Sequence, residues 1–102
     1  MYLGTVDIES NLYFLLVAKT NAGVPTAPTG SPAYKVYGPN PTTYLIAGSM
    51  TANVDSNTAL CKSGAIACTA ANGFASGVTY FITATLVVSG VNLSQEFTFT
   101  VV

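Results

Sequence analysis

Alternation of apolar and polar residues runs through most of this chain, and the 3.6-residue period of an amphipathic helix is nearly absent. In GTVDIE (4–9), Val6 and Ile8 fall on one face and Thr5, Asp7 and Glu9 on the other, which predicts a half-buried strand. NLYFLLVAKT (11–20) puts Leu12, Phe14, Leu16 and Ala18 on one face and Tyr13, Leu15 and Val17 on the other. Both of its faces are apolar, so the pattern predicts a central strand. NAGVPTAPTGSP (21–32) is rich in Pro, Gly and Thr and favours an extended, polyproline-like loop. AYKVY follows as a short strand, stopped at GPNP (38–41), a turn with two prolines.

TYLIAGSMT (43–51) is the next strand candidate, and NVDSN (53–57) a turn or edge connection. TALCKSGAIACT (58–69) predicts one or two short strands around Ser63-Gly64. VTYFITATLVV (78–88) is expected to be the longest strand, with Tyr80, Ile82, Ala84, Leu86 and Val88 opposite Thr79, Phe81, Thr83, Thr85 and Val87. SGVN makes a tight turn, and LSQEFTFTVV closes the chain with Phe97, Phe99 and Val101 opposite Glu96, Thr98 and Thr100. Seven or eight short strands at turn spacings of roughly 8–12 residues predict an all-β chain, a single immunoglobulin-like β-sandwich over 1–102. A small barrel is the structural alternative. TAANGFASG (69–77) lies where such sandwiches cross between sheets, and Gly77-x-x-Tyr80 has the spacing of a tyrosine corner; otherwise Tyr80 is one more core aromatic.

Charge changes the picture most. Of 102 residues, only 7% are Asp, Glu, Lys or Arg, against roughly 25% in an ordinary soluble domain. The three cations are Lys19, Lys35 and Lys62, and His and Trp are absent. The polar surface must therefore come from Thr, Ser, Asn and Gly, and a net charge of −1 gives little repulsion between copies. Nucleic acid is not an expected partner, because three scattered lysines cannot displace phosphate counterions. Neither is a membrane: the most apolar run, LYFLLVA (12–18), is far short of the roughly 20 residues of a spanning helix. MYLGTVDIES has neither a basic n-region nor a cleavage pattern, so cytosolic synthesis is expected.

Candidate chemistry is sparse. Without His the commonest general base is missing. The carboxylates are Asp7, Glu9, Asp55 and Glu96, and Asp7 with Glu9 reads as the solvated face of the first strand. No glycine-rich phosphate loop precedes a helix, and a Ser or Thr nucleophile would have only Lys as a base. No catalytic site, metal site or cofactor is expected. Cys61 and Cys68 are too few for structural zinc without His, and cytosolic synthesis favours two reduced thiols. A turn at Gly64-Ala65 would make them cross-strand neighbours, whereas one at Ser63-Gly64 would set Cys61 opposite Ile66. Asn92-Leu93-Ser94 is a formal glycosylation sequon with no other sign of secretion. Tyr34, Tyr37 and Tyr44 flank the GPNP turn, either as a contact set for a carbohydrate or protein partner or as packing residues.

LGTVDI, YKVYGPNP, TAANGFASGVTYFITATLVVSG and the terminal FTFTVV together resemble small structural proteins of tailed bacteriophages. The resemblance spans nearly the whole chain. It implies an Ig-like accessory virion protein, synthesised in the host cytoplasm, most naturally a capsid decoration (cement) protein that stabilises the capsid lattice. The alternatives are a module of the tail or head–tail junction, or a receptor- or carbohydrate-binding module using Tyr34, Tyr37 and Tyr44. Its implied partners are the major capsid protein or other virion proteins, with many copies or a homo-oligomer in the assembly. The Thr-rich outer faces, including Thr83 and Thr98, and the 21–32 loop are the expected contacts.

Overall fold

The computed structural model describes residues 1–102. Nine strands are joined by turns, loops and one short 3-10 turn: β1 (Tyr2–Val6), β2 (Ser10–Leu12), β3 (Leu15–Val17), β4 (Ala33–Tyr37), β5 (Tyr44–Thr51), β6 (Leu60–Ser63), β7 (Ile66–Cys68), β8 (Thr79–Val88) and β9 (Val91–Val101). They form a seven-stranded sheet in the order β1-β9-β8-β4-β5-β6-β3 and a two-stranded sheet of β2 and β7. The chain is all-β and sandwich-like, with the larger sheet curled and the smaller one continuing the path of β3 and β6.

β5 turns the corner of the curled sheet. Its first part pairs with β4, and its last residues, Met50 and Thr51, pair with Ser63 and Lys62 of β6. The layer of β3 and β6 thereby comes to face the layer of β4, β8 and β9. Phe14 reaches across the gap, with ring centroids 5.1 Å from Phe97 and 5.5 Å from Tyr34. Leu16, Cys61, Ile66 and Cys68 on one side and Val36, Tyr80, Ile82, Ala84 and Phe99 on the other complete one core.

The alternation of β8 and β9 survives intact. Tyr80, Ile82, Ala84, Leu86 and Val88 are buried, as are Phe97, Phe99 and Val101. The hairpin between them turns on Ser89 and Gly90, both at positive φ (51° and 78°), the geometry that matches strand twist and favours glycine. β9, with eleven residues, is one longer than β8, so the longest strand is the last rather than the one at 79–88.

Several expectations change. The first strand begins at Tyr2 and ends at Val6, and Glu9 sits beyond it at φ 70°. The run at 11–20 breaks at Tyr13-Phe14 into β2 and β3, and β3 is an edge strand, not a central one. Its second apolar face is exposed: Tyr13 and Leu15 are about half open to solvent. The segment around Ser63-Gly64 contains no hairpin. β6 and β7 follow one another along a single strand path, pairing with β3 and β2 respectively. Ser63 supports the break, because its buried Oγ accepts the N–H of Phe14 at 2.9 Å.

Residues 69–78 carry the chain from the small sheet to the large one. Thr69 caps the 3-10 turn at Ala70–Asn72 by accepting the Asn72 N–H, and Gly73 ends it at φ 93°. The Glu9 carboxylate accepts the Ala70 N–H at 3.1 Å. Glu9 is therefore a support for the crossing rather than part of a solvated strand face.

Candidate binding face

The outer surface of the β1-β9-β8-β4-β5 layer is built by strand register. Tyr2 stands beside Thr98, Thr98 beside Phe81, Phe81 beside Tyr37, and Tyr37 beside Tyr44. One row across five strands thus carries four aromatic rings and a threonine. In the next row Glu96, Thr83, Lys35 and Ala47 are neighbours, and in the third Ser94, Thr85, Ala33 and Ser49.

The rings pack on one another. Tyr37 stacks on Phe81 with centroids 5.5 Å apart and planes 15° apart, while Tyr44 meets Tyr37 edge-on at 6.4 Å. Lys35 Nζ lies 5.0 Å from the centre of the Tyr44 ring. Tyr2 donates to Thr100 Oγ1 at 3.1 Å, and Thr79 and Thr100 hydroxyls are 3.0 Å apart. The side chains are held by neighbours before any partner arrives, which lowers the entropy lost on binding. A depression of about 260 Å³ lies beside Lys35 between Tyr37 and Thr85 and reaches in to Tyr34 and Gly48. A more open one of about 460 Å³ beside the β8–β9 hairpin is edged by Thr29, Ser31, Asn92 and Ser94.

Of the proposed contact set, Tyr37 and Tyr44 share this face and Tyr34 does not. Tyr34 is 4% exposed, packed edge-on against Phe14, and burial raises its phenol pKa. The parity of AYKVY carries the reason: Lys35 must point outward, so Ala33 and Tyr37 go with it and Tyr34 and Val36 point inward. Thr83 and Thr98 are half-buried on the outer face, each between two strands. Tyr2 and Phe81 belong to the row and were not singled out from the sequence. Phe81 is the one aromatic among the threonines of its face of β8, which was the available signal.

Part of the second apolar face of β8 is covered from within the chain. Tyr37 covers Phe81, and Thr29 of the Pro-rich loop donates its N–H to Val87 O at 2.7 Å. The rest faces outward. Cys61 and Cys68 lie on the core side, both buried and free. No three His, Cys, Asp or Glu side chains gather where a metal ion could be held. No helix is long and apolar enough to cross a membrane. What the face can offer is aromatic area, hydroxyl groups and one charge of each sign, Lys35 and Glu96, on either side of Thr83.

Comparison with protein-family models, with curated proteins and with solved structures finds no match to this chain.

Proposed function

We propose that this chain is a non-enzymatic virion protein, an Ig-like β-sandwich that decorates a phage capsid in many copies and cements neighbouring capsid subunits. The observation that carries the reading is the row Tyr2-Thr98-Phe81-Tyr37-Tyr44 on a sheet face with few charges. Aromatic residues are enriched and charges depleted in the cores of protein interfaces, because a ring gains contact area without the desolvation penalty of an ion. The resemblance of the sequence to small phage structural proteins supplies the class of assembly. The Ig-like assignment is supported by the strand order, by the helical-turn crossing before β8 and by the bond from Ala75 to Tyr80.

A receptor- or glycan-binding module is the second reading. It is favoured by Tyr44, 49% exposed beside Lys35, and by the depression that Lys35 and Tyr37 line. The two are separated by sedimenting purified protein with empty capsids and by probing it on a glycan array. Decoration predicts saturable co-sedimentation that Tyr37→Ala and Tyr44→Ala weaken, with no glycan bound. Glycan binding without capsid binding would overturn it.

A further inference from the structure

We infer that neighbouring copies of this chain join edge to edge, the β3 edge of one copy taking the β1 edge of the next. The large sheet ends in β1 on one side and β3 on the other. Along β3, Ser63 N–H donates to Phe14 O, and Ala18 N–H donates to Ala59 O. By strand alternation Phe14 and Leu16 turn their backbone groups toward β6, and Leu15 and Val17 aim theirs at the open side. The row ends there, because Ala18 O accepts the Thr26 N–H and Lys19 is bridged to Pro25 of the following loop. Such a row of free donors and acceptors is a template for another strand, and proteins usually blunt it with charge, proline or a bulge. β3 has no proline, no charge within it and an unbroken register with β6. β1, in contrast, shifts register between Tyr2 and Thr5, with Gly4 at φ 108°, so its regular part is Thr5-Val6.

Exposed apolar side chains gather at these two ends. Four of the eight exposed large hydrophobic residues, Met1, Tyr2, Tyr13 and Leu15, lie on or beside the edge strands.

Charge selects the occupant. Lys62 is paired with Leu15 in register, and its ammonium lies 5.1 Å from the centre of the Tyr13 ring. Lys19 is exposed two residues beyond β3. At the other end Asp7 is exposed just after β1, and Glu96 is exposed on the adjoining strand β9. Two β3 edges brought together would oppose four lysines. Two β1 edges would oppose four carboxylates, offset only in part by the Met1 ammonium of each copy, which donates to Glu96 O at 3.2 Å. Joining unlike edges pairs lysines with carboxylates and is the only combination of edges favoured by charge. The contact is heterologous, so it propagates from copy to copy rather than closing as a dimer. A single added strand is a small interface, so it acts beside the sheet face proposed to grip the particle and does not depend on what that face grips.

The test is sedimentation velocity over a concentration series at low salt, with the full chain. Wild-type protein should self-associate. Lys62→Glu alone and Asp7→Lys alone should each weaken association roughly tenfold. An equimolar mixture of the two variants should return to within about threefold of wild type, because each reversed edge then meets its opposite. Lys62→Gln and Asp7→Asn, which should also weaken association, replace either reversal that fails to fold. A wild-type chain that stays monomeric throughout, variants that associate as wild type does, or a mixture with no recovery would each overturn the inference. Loss in Lys62→Glu with none in Asp7→Lys would do the same, since β1 would then not be the occupant.

Discussion

The phenolic oxygen of Tyr80 accepts a hydrogen bond from the backbone N–H of Ala75 at 2.8 Å, tying the crossing segment to the start of β8. Tyr80→Phe keeps the ring against Phe74 (4.7 Å) and Phe99 (5.7 Å) and removes only the acceptor. The expected loss is about 1–2 kcal/mol in a urea titration, the usual penalty of leaving a partly buried amide unpaired. A loss below about 0.5 kcal/mol, within the range of a neutral surface change, would mean that Tyr80 acts as a core aromatic alone.

Gly48 and Tyr34 face each other across β5 and β4, and the ring of Tyr34 occupies the space that a side chain at 48 would need. A Cβ added there would stand 2.5 Å from Tyr34 Oη and 2.7 Å from its Cζ. Tyr34 is fixed by Phe14 and cannot swing clear, so Gly48→Ala should cost about 1–3 kcal/mol of stability. Combining it with Tyr34→Phe should recover only part of this, because the ring carbon still collides. Full additivity of the two changes in denaturant titration would refute the contact.

Thr83 and Thr98 test the binding face unequally. Thr98 stands between Tyr2 and Phe81, whereas Thr83 stands between Glu96 and Lys35. A lysine at 98 places an unpaired charge in the aromatic row. One at 83 gains Glu96 as a neighbour while meeting Lys35. Thr98→Lys should therefore weaken capsid co-sedimentation more than Thr83→Lys, with stability in both within about 0.5 kcal/mol of wild type. Equal, unchanged binding by both would count against this face.

Strand alternation was most legible in β8 and β9, where one face meets the core and the other does not, and less so at 4–9, where the strand ends at Val6. The buried sets of β8 and β9 and the turn at Ser89-Gly90 follow directly from the residue pattern. The pattern failed at 12–18, where two apolar faces suggested a central strand and the fold makes an edge. Two-sided apolarity is shared by a strand enclosed in its own domain and by one with a face left open, and only the pairing tells them apart. At 60–68 the two short strands are present as β6 and β7, but Gly64-Ala65 is a break along one strand path rather than the hairpin turn weighed for the cysteines. The binding face was half legible: Tyr37 and Tyr44 were marked, but its assembly with Phe81 and Tyr2 depends on register between strands far apart in sequence.

Cys61 and Cys68 sit opposite Leu16 and Ser10, positions six residues apart on the neighbouring strand path. At about 3.3 Å per residue that separation is on the order of 20 Å, well beyond the roughly 7 Å limit between the Cα atoms of a disulfide. Both thiols are fully buried, so native protein should give no reaction with a thiol reagent, and denatured, unreduced protein should give two equivalents per chain. Burial raises both pKa values above the ordinary 9.0, because a thiolate would lose its hydration. Above pH 9 the unfolded chain therefore releases protons that the folded chain retains, and the balance moves toward unfolding. The stability held by the protonated thiols is whole below that pH and is lost as pH rises through the folded-state values. Removing both thiols as Cys61→Ala/Cys68→Ala should flatten the decline above pH 9, leaving the part due to Tyr34, whose pKa burial also raises. An alkaline decline of equal slope in the double variant would show that the thiols do not carry it.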